Sequence, residues 1–161
     1  MNIAGIDYST QAIDIVLVDV DDGAARWCHY DLPQVGDAFE RTREVAQVLP
    51  ARRSVFWDTT LAIGIEEPMA RGPRSVQLIP KLKAIQGAIL SCIPRDKAVA
   101  PLDARDWRVK CGLKANASKD DVRHWAVAHI RAVPVQQPIR LWAQDAFDAY
   151  CIARAIEGML E

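Results

Sequence analysis

The first twenty-odd residues, "NIAGIDYSTQAIDIVLVDVDDG" at positions 2 to 23, constrain the fold most. Ile3 to Ile6 form a short apolar run that ends at Asp7. Tyr8 to Ala12 read as a turn, and Ile13, Ile15, Val16, Leu17, Val18 and Val20 form a second, largely β-branched run before Asp21-Asp22-Gly23 turns the chain again. Two strands and two turns within so few residues specify an antiparallel hairpin at the start of the chain. Asp7 then stands at the end of a central strand. An ionised carboxylate there needs either water or a partner, so capping a wet turn is its plainest role.

The rest of the chain alternates. A third strand is expected over Ala24 to Asp31, followed by a helix from about Asp37 to Leu49 with Ala38, Val45 and Leu49 on one face and Pro50 ending it. "LAIGIE" at 61 to 66 reads as a buried strand, the second to end in a carboxylate. Leu78, Leu82, Ile85, Ile89 and Ile93 recur at helical spacing and predict a long core helix from about Ser75 to Ile93, with Pro80 delaying its start. A short strand at Lys97 to Ala100 leads into "PLDARDWRVKCGLKANASK", a helical or looped stretch. Ser118 and Asp121 form a capping box that opens a helix to about Ala132. Pro134 and Pro138 mark a loop before a last helix from about Trp142 to Leu160. This order predicts an α/β domain: a mixed five-stranded sheet that starts as an antiparallel hairpin, continues with parallel strands and is flanked by helices.

At 161 residues the chain fits one domain, 1–161, able to bury its own core. No apolar run approaches the roughly 20 residues of a membrane span and no leader opens the chain, so a soluble, cytoplasmic protein is expected. Cys28, Cys92, Cys111 and Cys151 are scattered without a CxxC pair and read as reduced core thiols. His124 and His129 fall on different helix faces, and His29 lies in a strand; none receives a role. Trp27, Trp107, Trp125 and Trp142 read as core or half-buried, while Trp57 sits in a loop.

Net charge is -1, but its distribution is uneven. Positions 71 to 123 hold twelve Lys and Arg against five Asp and Glu, and the remainder holds eight against sixteen. A basic middle inside an acidic frame suits a phosphate-binding surface beside a carboxylate cluster, and equally an ordinary solvated surface.

The carboxylates narrow these choices. Asp145 and Asp148 lie three apart in "AQDAFDAYCIARAIEGML", heading the face that continues through Ile152, Ala155 and Met159. Helix-dipole or capping effects account for one such acid more easily than two. With Asp7 and Glu66 at strand ends, four carboxylates come from three separated segments. Gathered like charges raise one another's pKa values unless a cation joins them, and oxygen-only ligands select Mg²⁺ or Mn²⁺. A pair of such ions suits hydrolysis of a phosphodiester.

"IAGIDYS", "IGIEEP" and "AQDAFDAYCIA", in this order and at these intervals, resemble the RuvC family of Holliday junction resolvases within the RNase H-like superfamily. The resemblance spans nearly the whole chain. It implies a metal-dependent, structure-selective endonuclease that nicks four-way DNA junctions symmetrically in recombination and repair. It assigns Asp7, Glu66, Asp145 and Asp148 as catalytic ligands of two Mg²⁺ or Mn²⁺ ions. Glu66 is preferred over its neighbour Glu67 because the family Glu directly follows the Ile, and alternate strand residues point to opposite faces. "WRVKCGLKANASK" resembles the family's basic segment, which makes Arg108 and Lys119 candidates for backbone phosphates and places Lys119 to approach the reacting one; Lys114, Arg71 and Arg74 are further candidates. The family acts as a homodimer on branched DNA, and the helix from about Ser75 to Ile93 is a candidate for the pairing surface. Two departures stand out: Tyr8 and Ser9 replace the proline and glycine of the family's "GIDPG", and Met69 falls where an aromatic residue often follows the Glu. "GIDYSTQAIDIVLVD" also resembles the first phosphate hairpin of sugar kinases and actin-like ATPases, although no second phosphate hairpin follows. Another RNase H-like nuclease, or a non-catalytic RNase H-like module that binds nucleic acid, is the other alternative.

Overall fold

The computed structural model describes residues 1–33, 36–51, 57–69, 73–130 and 138–160. Five strands form one sheet: β1 (Asn2–Tyr8), β2 (Ala12–Asp19), β3 (Ala25–Asp31), β4 (Thr60–Glu66) and β5 (Ala98–Leu102), in spatial order β3-β2-β1-β4-β5. β1 pairs antiparallel with β2, which pairs antiparallel with β3. On its other side β1 pairs parallel with β4, and β4 with β5. The mixed sheet is therefore the one the sequence predicts, and β1 lies at its centre.

The helices are α1 (Ala38–Ala51), α2 (Pro73–Cys92), α3 (Ala104–Lys110), α4 (Lys119–Ile130) and α5 (Gln144–Leu160), with a 3-10 turn at Ile139–Leu141. They cover the sheet as two layers. Ala4, Ile6, Ile13, Ile15, Ile63 and Ile65 point to one face and pack on Val45 and Leu49 of α1 and Ile85 and Ile89 of α2. Ile3, Val16, Val18 and Ala62 point to the other and pack under α5, with Trp107 of α3 and Val122 and Ala126 of α4 completing that core. Strand alternation separates these two sets, so neighbouring residues serve different cores.

α5 lies directly against the centre of the sheet because two glycines make room for it. A Cβ on Gly5 would overlap the Ala149 carbonyl and the Ala153 nitrogen, and one on Gly64 would overlap the Ile152 and Ile156 side chains. These glycines bring the start of α5 close to the ends of β1 and β4.

Several boundaries differ from the sequence expectation. α1 continues through Pro50 to Ala51, and α2 passes through Pro80 without a delayed start. Pro80 is exposed, so water can satisfy the Val76 carbonyl that loses its helical donor. Leu78, expected in the core, is 44% exposed because the first turns of α2 precede the segment that packs at Ile85 and Ile89. β5 runs to Leu102 and includes Pro101, which an edge strand tolerates. The capping box is present: Ser118 Oγ accepts from the Asp121 amide at 3.1 Å, and Asp121 Oδ2 accepts from the Ser118 amide at 2.8 Å. The expected end of α4 at Ala132, and Pro134, lie outside the described residues. Trp57 lies in the turn before β4, in a loop as expected, and is fully buried in the α1/α2 core.

Candidate metal centre

Asp7, Glu66, Asp145 and Asp148 are brought to the same end of the molecule. β1 and β4 are parallel and in register through Ile6 and Ile65, which sets Asp7 and Glu66 side by side at the ends of neighbouring strands. Both have the parity of the α5 face. The first turn of α5 then presents Asp145 and Asp148. One carboxylate oxygen from each of Asp7, Asp145 and Asp148 lies within 4.8 Å of the others. Opposite ligands around one Mg²⁺ stand roughly 4 Å apart, so this all-oxygen set suits a hard divalent cation.

The electrostatics agree with that chemistry. Burial, then the charges of Glu66, Asp148 and Asp145, push the Asp7 carboxyl well above the ordinary range, and Lys119 only partly opposes them. Burial pushes Asp148 up to about 6; Lys119 offsets this, while Glu66 and Asp145 add to it. Glu66 thus stands within electrostatic reach of Asp7 and Asp148. Its Oε2 accepts a 3.3 Å hydrogen bond from the indole Nε1 of Trp107. Glu67 points the other way, where Lys83 and Gln86 of α2 hold its carboxylate. The lysine lowers its pKa, helped by the hydrogen bond from Gln86. Strand parity therefore sends Glu66 to the α5 face, beside the Asp7, Asp145 and Asp148 group, and Glu67 to an ion pair.

The basic candidates occupy different settings. Lys119 Nζ lies 3.1 Å from Asp145 and 3.9 Å from Asp148, an ammonium at the rim of the carboxylate group. Desolvation acts to lower its pKa, but the charges of Asp148 and Asp145 and the hydrogen bond to Asp145 raise it. Arg108 is only 8% exposed and its guanidinium lies over the Trp107 ring, 4.9 Å from the centroid. Its charge acts on Asp148, lowering that pKa. Lys114 is exposed in the loop between α3 and α4, and Arg74 lies in the first turn of α2. Arg71 lies outside the described residues.

Three features escape a reading of the sequence. Trp107 counts there only as a core residue. Asp14 sits opposite Asp7 across the hairpin, is 1% exposed, and accepts from Trp27 Nε1 at 2.7 Å while facing His29 Nδ1 at 2.9 Å. The one charge inside "AIDIVLV" was the available signal for it. His29, without a role from sequence, also faces Asp31 through Nε2 at 3.2 Å. Desolvation opposes its protonation, but these two carboxylates raise its pKa. The unusual "YS" of the first motif also finds its place. Ser9 Oγ accepts from the Gln11 and Ala12 amides at 3.1 Å and closes the hairpin turn. The Tyr8 amide donates to Asp7 Oδ1 at 2.9 Å, and the Tyr8 ring lines a small cavity of about 110 Å³ with Glu66, Pro68, Met69 and Leu82.

No family model matches the sequence, and no curated protein matches it. Solved structures do. Thermus thermophilus RuvC is similar with a TM-score of 0.72 at 18% identity, covering 96% of this chain and 92% of its own. The structure of T. thermophilus RuvC in complex with a Holliday junction substrate is similar with a TM-score of 0.65 at 18% identity, covering 96% and 91%. The fold is thus that of RuvC, a mixed RNase H-like sheet with flanking helices. Among the described residues, no helix is long and apolar enough to cross a membrane.

Proposed function

We propose that this protein is a metal-dependent endonuclease of branched DNA, a Holliday junction resolvase formed by a single nuclease domain over residues 1–161. The observation that carries this reading is the convergence of Asp7, Asp145 and Asp148 beside Glu66 on a RuvC fold. One of the similar solved structures is of RuvC in complex with a Holliday junction substrate, which makes a four-way junction the first substrate to test.

In this reading the four carboxylates would hold two Mg²⁺ or Mn²⁺ ions. When bound, such ions supply an activated water and stabilise charge on the departing 3′ oxygen. Asp7, beside Glu66 on the neighbouring strand and grouped with Asp145 and Asp148, would contribute its carboxylate to the same site. The gathered negative charge also orients the site, because a phosphate approaches it favourably only once cations are present. Lys119 offers a cation at the rim of the carboxylates for a non-bridging phosphate oxygen. Exposed Lys114 and the basic segments around Arg71 and Arg74 supply backbone contacts, while buried Arg108 acts from beneath on Asp148. A homodimer would place two such sites on opposite strands of a junction.

The test uses a synthetic four-way junction and a matched linear duplex, with Mg²⁺, Mn²⁺ or EDTA, beside Asp7→Asn. The expected outcome is paired symmetric nicks in the junction, dependent on metal and lost in the variant. Absence of junction cleavage with both metals overturns the reading.

A further inference from the structure

A buried indole in this core is not obliged to meet a carboxylate. Trp142 is buried, and its Nε1 has no hydrogen-bond partner among the described residues. Trp107, fully buried under the same helix, instead aims its Nε1 at Glu66 Oε2. The contact joins residues 41 positions apart and links α3 to the end of β4.

The indole is itself held in place. Asp103 caps α3, its Oδ1 accepting from the Arg105 and Asp106 amides at 2.7 and 2.9 Å, which anchors the turn that carries Trp107. The buried Arg108 guanidinium covers the ring at 4.9 Å. A side chain so confined has little freedom to rotate away from its acceptor. The contrast with Glu67 is informative, because that carboxylate is bound by a charged lysine and an amide, leaving it neutralised. Trp107 donates one proton to one oxygen of Glu66 and brings no charge. A neutral donor fixes the rotamer of an acid without adding a charge of its own, which is the task of the partners that orient metal ligands from behind.

We propose that Trp107 is a positioning residue of the metal centre: its indole N–H tethers Glu66 Oε2 and thereby fixes the orientation of the Glu66 carboxylate beside Asp7. This inference rests on the metal-centre reading above and names a determinant of its affinity.

The experiment measures Mn²⁺ binding to the whole protein without DNA, by electron paramagnetic resonance of free Mn²⁺. Trp107→Phe removes the donor, and replacement of Trp107 by β-(3-benzothienyl)alanine removes the N–H while keeping the ring size, so a loss of packing is separated from a loss of the hydrogen bond. Both should weaken Mn²⁺ by about tenfold or more, the usual effect of deleting a group that orients a ligand. In a Glu66→Ala background the Phe substitution should have no further effect. Unchanged affinity in the benzothienyl protein, or an equal loss in the Glu66→Ala background, overturns the positioning role while leaving the metal centre standing. No Mn²⁺ binding by the unmodified protein, or binding indifferent to Glu66→Ala, overturns both.

Discussion

Glu66 and Glu67 are consecutive in sequence and opposite in circumstance. Glu67 faces α2 and is matched by Lys83 and Gln86, so its charge is satisfied within the protein and its pKa falls. Glu66 faces α5, receives a neutral indole N–H, and stands among Asp7, Asp145 and Asp148, two of which are pushed upward by burial and mutual repulsion. The same contrast divides the two faces of the sheet. The α1/α2 face ends in a compensated ion pair. Among the described residues the α5 face ends in carboxylates with Lys119 beside them, an excess of negative charge that a divalent cation would balance. A partnered carboxylate stabilises a fold, whereas under-compensated carboxylates mark a place where something positive belongs.

The sharpest way to break this comparison is to remove each charge in turn. Glu66→Gln should lower single-turnover junction cleavage by about 10²- to 10³-fold, the scale expected from a few kcal/mol of lost transition-state stabilisation, while Glu67→Gln should change it less than about twofold. Equal effects would abolish the distinction between the two faces.

A stability measurement sharpens it next. Asp148 is raised from the ordinary 3.8 to about 6, so in the folded state it holds a proton that the unfolded chain releases earlier. Its contribution to stability is therefore present below pH 3.8 and lost as pH rises through about 6. In EDTA, chemical denaturation should show the protein losing stability between pH 4.5 and 7.5. Asp148→Asn should regain about 2 kcal/mol at pH 7.5, and divalent metal should stabilise the unmodified protein there more than the variant. A flat profile would mean that the cluster carries no such repulsion.

The smallest effect belongs to the compensated face. Lys83→Met leaves Glu67 without its ion pair, yet both groups are partly exposed, so the loss should be below about 1 kcal/mol in a urea melt with cleavage unchanged.

Much of this architecture is legible in the chain itself. β-branched runs punctuated by Ser9 and by Asp21-Asp22-Gly23 specify the opening hairpin, and alternation along "LAIGIE" places its final acid on one face. Ser118 and Asp121 announce the start of α4 through a local exchange of hydrogen bonds. Spacing of three puts Asp145 and Asp148 together on α5 because one helical turn does so wherever the helix lies. Pro80 misleads, since its effect on α2 depends on whether water reaches the Val76 carbonyl. Arg108 also reads differently in three dimensions: its place in a basic segment suggests a solvent-facing phosphate contact, but it is buried over Trp107.

By itself, then, the sequence determined the strands and the helix faces, and offered Asp7, Glu66, Asp145 and Asp148 as candidates, because the elements follow from local periodicity and the candidates from residue chemistry and a family resemblance. Tertiary structure decided what those acids meet. Gly5 and Gly64 let α5 approach β1 and β4 closely enough to gather Asp7, Asp145 and Asp148 beside Glu66. The same packing set Trp107 behind Glu66, Lys83 beside Glu67, and His29 and Trp27 around Asp14. Such pairings join residues far apart in the chain, and only the close packing of helices on a sheet determines them.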